Sequence, residues 1–197
     1  KFSFSQEITE ISDYANTITS KELLENLYVY SSDYFQGRET GTIGQKRAAN
    51  FLRDFYISSG ILSARGTNNY FQPMILNIAG KRVETENVAA IIRGVKYPEE
   101  YIILSAHLDH IGIDENGNIN NGADDDGSGN VALLEIAEAF MKAKNEGSGP
   151  KRSLVFLHVT GEEKGLLGSK YYTENPLYPL KNTVANLNID MIGRINP

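Results

Sequence analysis

Two of the chain's three histidines, His107 and His110, stand in one stretch, Ile102–Gly129. Asp109, Asp114, Glu115, Asp124, Asp125 and Asp126 share it. Further acidic groups follow at Glu162–Glu163 and at Asp190. One imidazole among several carboxylates suits zinc, manganese or cobalt, the hard to borderline dications. A carboxylate shared by two ions lets them sit ~3.5–4 Å apart, the geometry of two-metal hydrolases. Asp109, two residues after His107, is positioned to accept the second imidazole N–H and so fix the ring's tautomer.

These groups need a scaffold that brings them together. Each polar cluster follows an apolar, strand-like run: Tyr101–Ser105 before His107-x-Asp109, Leu154–Thr160 before Glu162–Glu163, and Val184–Ile189 before Asp190. A solvated loop explains one such cluster, but not three at successive strand ends. A helical run, Val131–Lys144, leaves the His107 loop, and Leu166–Thr173 reads as a short helix. The expected fold is α/β, with a mixed, largely parallel central sheet flanked by helices and ligands presented at the carboxyl ends of its strands.

Upstream, Thr19-x-x-Glu22 reads as a capping box, with Leu23, Leu24, Leu27 and Tyr28 following at helical spacing. A second helix fits Gly44–Ser59, with the stripe Ala48, Leu52, Phe55 and Tyr56 and a stop at Gly60. Lys1–Ile18 read as an arm or a first helix. Tyr70–Ile78 is a weak strand interrupted by Pro73, and Val88–Ile92 is a stronger one. One domain is expected, a helical segment over residues 1–60 ahead of an α/β core over 70–197. Tyr28, Tyr30, Tyr34, Tyr56, Tyr171 and Tyr172 are expected to pack in the core or against the sheet. His158, within a strand, reads as a satisfied core or surface residue, and His110 as a packing or loop residue.

Composition narrows the function. The net charge of −6 opposes non-specific nucleic-acid binding, which needs a basic surface. With no cysteine, disulfides, thiolate catalysis and cysteine-ligated zinc are excluded. No apolar run approaches the length of a membrane span. The chain starts at Lys1 rather than Met, which admits a removed leader, and an exported location, periplasmic or extracellular, is expected. Asp124-x-Asp126-x-Ser128-Gly129 followed by Glu135 has the register of a calcium-binding EF-hand loop. The residues before it, rich in Gly and Asn, are not the helix that motif requires.

AHLDHIG, GADDDGSGNVALLE, GEEKGLLGS and NIDMIGR occur in that order, after SSDYFQGRETGTIGQKRAANFL. From about Leu23 to Arg194 the chain resembles the M28 co-catalytic zinc peptidases, whose best-known members are aminopeptidases. The resemblance implies the zinc-exopeptidase (phosphorylase/hydrolase-like) fold and a peptide substrate, while charge and hydropathy lead to neither nucleic acid nor membrane being expected as partner. It implies that His107 and Asp190 bind one zinc, that Glu163 binds the other, and that Asp125 bridges both. Glu162 would be the general base and Asp109 the partner that orients His107. A cis Asp125–Asp126 peptide is also implied. The pattern calls for a further histidine ligand downstream of Asp190, which this chain does not contain. The expectation is therefore an incomplete domain lacking its final strands, weakly active or inactive alone. It would hold two zinc ions in the complete protein and one or none here. A bare sheet edge could drive self-association. A glutaminyl cyclase or carboxypeptidase of the same fold, or a non-catalytic binding domain, are the alternatives.

Overall fold

The computed structural model describes residues 12–194. The arm-or-helix reading of Lys1–Ile18 falls mostly outside them, although residues 12–15 are helical. Helix α1 (Ser20–Tyr30) starts at the expected capping box: Thr19 Oγ1 accepts the Glu22 N–H at 3.2 Å and donates to the Glu22 carboxylate at 2.7 Å. A 3₁₀ turn over Asp33–Arg38 leads to α2 (Ile43–Ser58), where Thr42 accepts the Gln45 N–H. The α2 stripe behaves as its spacing predicts, with Ala48, Leu52 and Tyr56 fully buried, and Gly60 takes the left-handed φ of +67° just past the helix.

Six strands follow: β1 (Leu62–Ser63), β2 (Phe71–Ile78), β3 (Lys81–Ile92), β4 (Tyr97–His107), β5 (Arg152–Val159) and β6 (Thr183–Asn188). They form one mixed sheet in the order β1-β3-β5-β4-β6, with β2 also paired to β3. β5, β4 and β6 run parallel, while β1, β2 and β5 pair antiparallel to β3. The parallel part carries the chemistry, because its carboxyl ends lie side by side. Helix α3 (Gly129–Asn145) makes the crossover from β4 to β5, and α4 (Leu167–Glu174) lies between β5 and β6.

β2 and β3 are one hairpin. Ile78 pairs with Lys81 across a two-residue turn, with positive φ at both Ala79 and Gly80, the turn twist that suits adjacent strands. The sequence predicts only Val88–Ile92 as the strong strand, because Lys81–Asn87 is polar and half exposed. Pro73 sits within β2, where its missing N–H costs nothing on an edge strand.

The core has two layers. On one face Leu104, Ala106, Phe156 and Val88 pack under α1, α2 and α3 with Tyr30, Leu52, Tyr56, Leu133 and Leu134. On the other, Ile103, Val155 and Leu157 pack with Tyr101, Tyr172 and Tyr178. At about 25 cal/mol per Å² of apolar surface, side chains of this size contribute ~1.5–3 kcal/mol each on burial. Two of the tyrosines expected inside are not: Tyr28 is 73% and Tyr34 62% exposed. Tyr28 lies on the outward side of α1, and Tyr34 lies in the 3₁₀ turn with the Arg47 guanidinium over its ring. No helix among the described residues is long and apolar enough to cross a membrane.

Candidate metal centre

The site grows from the last residue of β4. Main-chain contacts fix His107: its N–H donates to Asp126 Oδ2 at 3.1 Å, and its carbonyl accepts from Asn130 Nδ2 at 2.5 Å. Its ring Nδ1 lies 3.0 Å from the Asp109 carbonyl. A proton on Nδ1 satisfies that acceptor, which leaves the Nε2 lone pair facing outward. Nε2 faces Asp125 Oδ1 at 3.0 Å, Asp190 Oδ1 at 3.7 Å and Glu162 Oε2 at 4.0 Å.

Asp125 arrives through a cis Asp125–Asp126 peptide, as expected. The Asp126 carboxylate turns inward and accepts the N–H groups of His107, Gly129 and Met191. It therefore clamps β4, the start of α3 and the chain after β6 together. Asp190 is held by its neighbours: Met191 through Asp126, Ile192 through Ser128, and Gly193 and Arg194 through Asp124. Glu162 and Glu163 follow β5, and the Glu162 N–H donates to Asp109 Oδ1 at 3.1 Å. On the far side of Asp125, His110 Nδ1 lies 2.7 Å from Glu163 Oε1 and 3.9 Å from Asp125 Oδ2.

All six residues singled out from the sequence thus converge: His107, Asp109, Asp125, Glu162, Glu163 and Asp190. One differs in how it acts. The Asp109 carboxylate was expected to receive the imidazole proton, yet its nearer oxygen is 3.9 Å from Nδ1. Instead it is fully buried and accepts from Thr40 Oγ1 at 2.8 Å and from the Glu162 N–H. Asp109 orients His107 by its carbonyl and Glu162 by its carboxylate, so it ties two functional groups to one backbone unit.

Sequence reasoning missed the groups that hold the loop. Arg38 is completely buried and donates to the carbonyls of Leu108, Tyr30, Asn121 and Gly122, with its guanidinium over the Tyr30 ring. It fastens both ends of the 108–122 loop. Asn130 donates to the His107 and Asp126 carbonyls and accepts from His158 Nδ1, and His158 Nε2 faces Tyr56 Oη at 2.7 Å. Because both Asn130 N–H groups point at carbonyls, His158 carries its proton on Nδ1 and accepts from the tyrosine. The QGRETG run was a signal for Arg38; nothing local marks Asn130 or His158. The EF-hand register does not assemble: Asp124 is bonded to Arg194, and Glu135 accepts from Asn26.

Electrostatics follow from burial of so many acids. Burial alone lowers the His107 pKa, but Asp126, Asp109, Glu162 and Asp125 overcome it and hold the imidazole above its usual value. Burial, reinforced by Glu163, Asp109 and Asp190, raises the Glu162 carboxyl. Burial pushes Asp126 up to about 7 and His158 down to about 3. A cation would relieve the crowding, and imidazole plus carboxylates, with no thiolate, is a donor set that fits zinc.

The chain is similar to known proteins. The chain is 34% identical over 149 residues to a probable leucine aminopeptidase of Arthroderma benhamiae, covering 72% of this chain and 41% of that protein. It is 34% identical over 123 residues to a probable glutamate carboxypeptidase of Arabidopsis thaliana, covering 60% of this chain and 17% of that protein. The chain thus spans less than half the length of either. The fold matches the crystal structure of a Zn-dependent exopeptidase from Parabacteroides distasonis with a TM-score of 0.73 at 22% identity, over 90% of this chain and 63% of that one. The sequence model of peptidase family M28 matches residues 87–197, a span that includes every acidic strand end described above. This chain belongs to peptidase family M28.

Proposed function

We propose that the chain carries the catalytic core of a zinc-dependent exopeptidase that removes residues from the N-termini of peptides. The supporting observation is the convergence of Asp125, Asp190 and Glu162 on His107 Nε2, within 3.0 to 4.0 Å. His107, Asp125 and Asp190 are the residues to hold one ion, and Asp125 and Glu163 offer oxygens for another. Zinc bound there acidifies water and polarises the scissile carbonyl.

Glu162 takes the proton of the attacking water as oxygen bonds to the carbonyl carbon. It then delivers that proton to the amide nitrogen as the C–N bond breaks, so the amine leaves neutral. Asp109 keeps Glu162 and His107 in register through the two contacts described above. The substrate's free amino group is drawn to the surrounding carboxylates, which confines the cut to the first residue.

The test is metal analysis together with hydrolysis of aminoacyl-anilides by the longest native form of the protein. Zinc and anilide turnover are expected. Glu162→Gln should keep the metal and lose ~10²–10⁴-fold in rate. Absence of both zinc and turnover, or a Glu162→Gln variant as fast as the parent, would defeat the proposal. Cyclisation of N-terminal glutamine, or cleavage at the C-terminus, without anilide turnover would select the other reactions found on this fold.

A further inference from the structure

The turn that carries Glu162 is held from the N-terminal part of the chain. Three of its alternate residues reach residues 39–45, just past the 3₁₀ turn, directly or through one side chain. Lys164 Nζ donates to Glu39 Oε1 at 2.9 Å. The Glu162 N–H donates to Asp109 Oδ1 at 3.1 Å, and Thr40 Oγ1 donates to the other oxygen of that carboxylate at 2.8 Å. Thr160 Oγ1 lies 3.0 Å from Thr85 Oγ1, which donates to Gln45 Oε1 at 2.8 Å. The same Gln45 oxygen accepts the Gly41 N–H. We propose that Thr40 is a positioning residue for the general base: its hydroxyl fixes the Asp109 carboxylate, which fixes the main chain of Glu162. This rests on the reading of Glu162 as the proton carrier of a zinc peptidase.

The contact matters because the relay is dry. Asp109 is fully buried and Thr40 is 7% exposed, so bulk water is not at hand to replace the hydroxyl. The carboxylate divides its oxygens between the two donors. Without the hydroxyl it must turn toward another donor, and that move pulls Oδ1 off the Glu162 N–H. Gly161 and Gly165, with φ of +66° and +101°, bracket the residues from Glu162 to Lys164, so the place of the turn depends on such outside contacts. A shift of ~1 Å at a reacting group costs ~100-fold in rate. His107 is spared. It is held by the Asp109 carbonyl, by Asp126 and by Asn130, not by the Asp109 carboxylate. Loss of the Thr40 hydroxyl therefore slows the proton transfer and leaves the metal in place.

The test reads aminoacyl-anilide hydrolysis, zinc content and amide hydrogen exchange together, on the longest native form of the protein. Thr40→Val keeps the shape of the side chain and removes the hydroxyl. It should lose about 10–100-fold in kcat, with KM within about threefold and zinc content as in the parent. The Glu162 amide should exchange ~10-fold faster or more, while Val155 in the middle of β5 keeps its protection. Thr40→Ser should restore the rate to within about threefold of the parent. Tyr70→Phe deletes a buried hydroxyl that donates to the Ile61 carbonyl, away from this turn, and should lower stability with kcat unchanged. If Thr40→Val does not fold, Thr40→Ala set against Thr40→Ser makes the same comparison. A kcat at the parent's value, an unchanged Glu162 amide, or a rate loss matched by zinc loss would overturn the inference and leave the peptidase reading standing. A parent with neither zinc nor turnover would defeat that reading, and the inference with it.

Discussion

Acidification should weaken this fold through one side chain, His158. It is completely buried between Tyr56 and Asn130, and its pKa is pushed down to about 3 from an unfolded value of 6.5. Between those values the unfolded chain binds a proton at this residue and the folded chain does not. Stability therefore rises with pH in that window, and it is lost as pH falls from 6.5 toward 3. Integrated from about pH 7.5 to about pH 5, the loss is about 2 kcal/mol. Asp126, Asp109 and Glu162, whose folded pKa values are raised, and His107, also raised, work in the opposite sense as pH falls. The readout is accordingly the difference between the parent and His158→Gln, each unfolded in urea at both pH values with a chelator present. Circular dichroism is the suitable probe, since the chain has no tryptophan. The parent should lose about 2 kcal/mol more than the variant. Parallel losses would refute the assignment of His158 as a buried neutral base.

Arg38→Met should destabilise by about 3–5 kcal/mol in urea unfolding, because it strips the donor from carbonyls of four residues, at ~1–3 kcal/mol for each that is left buried and unpaired. Arg38→Lys should recover little of it, because an ammonium cannot reach carbonyls on four residues from one plane. A loss under about 1 kcal/mol would show that the loop is held by something else. Gly168→Ala adds a Cβ that would stand 2.1 Å from the Thr160 carbonyl oxygen and 2.6 Å from Asn87 Oδ1. Helix propensity favours alanine by about 1 kcal/mol, but overpacking against backbone costs ~1–3 kcal/mol. The expected net result is a Tm lower by about 2–8 °C, and a higher Tm would refute the packing argument.

The chemistry was legible because it is local to strand ends. His107, Glu162–Glu163 and Asp190 each follow an apolar run, and the period-2 core of a parallel sheet leaves its polar groups just past it. The hairpin arm was not legible, because Lys81–Asn87 has Val83 as its one apolar residue and so shows neither the alternation nor the apolar density of a strand. Nor were Arg38, Thr40, Asn130 and His158. Each acts on a residue more than 20 positions away in sequence, so their roles depend on which elements meet. Asp109 shows a finer limit: spacing identified the residue that orients His107, but not that the carbonyl, rather than the carboxylate, does so.

The place of β5 sets the order in which this molecule can be made. β5 lies between β3 and β4, yet both are synthesised before it. A nascent chain reaching only about residue 150 holds Val88–Ile92 and Ile102–His107 with a strand-wide gap between them, roughly 10 Å in the finished sheet. Such late insertion is slow and leaves apolar edges open in the meantime. His107 and Asp125 leave the ribosome ahead of Glu162, Glu163 and Asp190. A half-made chain thus offers a cation two ligands rather than a finished centre, and hydrolytic chemistry is deferred until the sheet has closed.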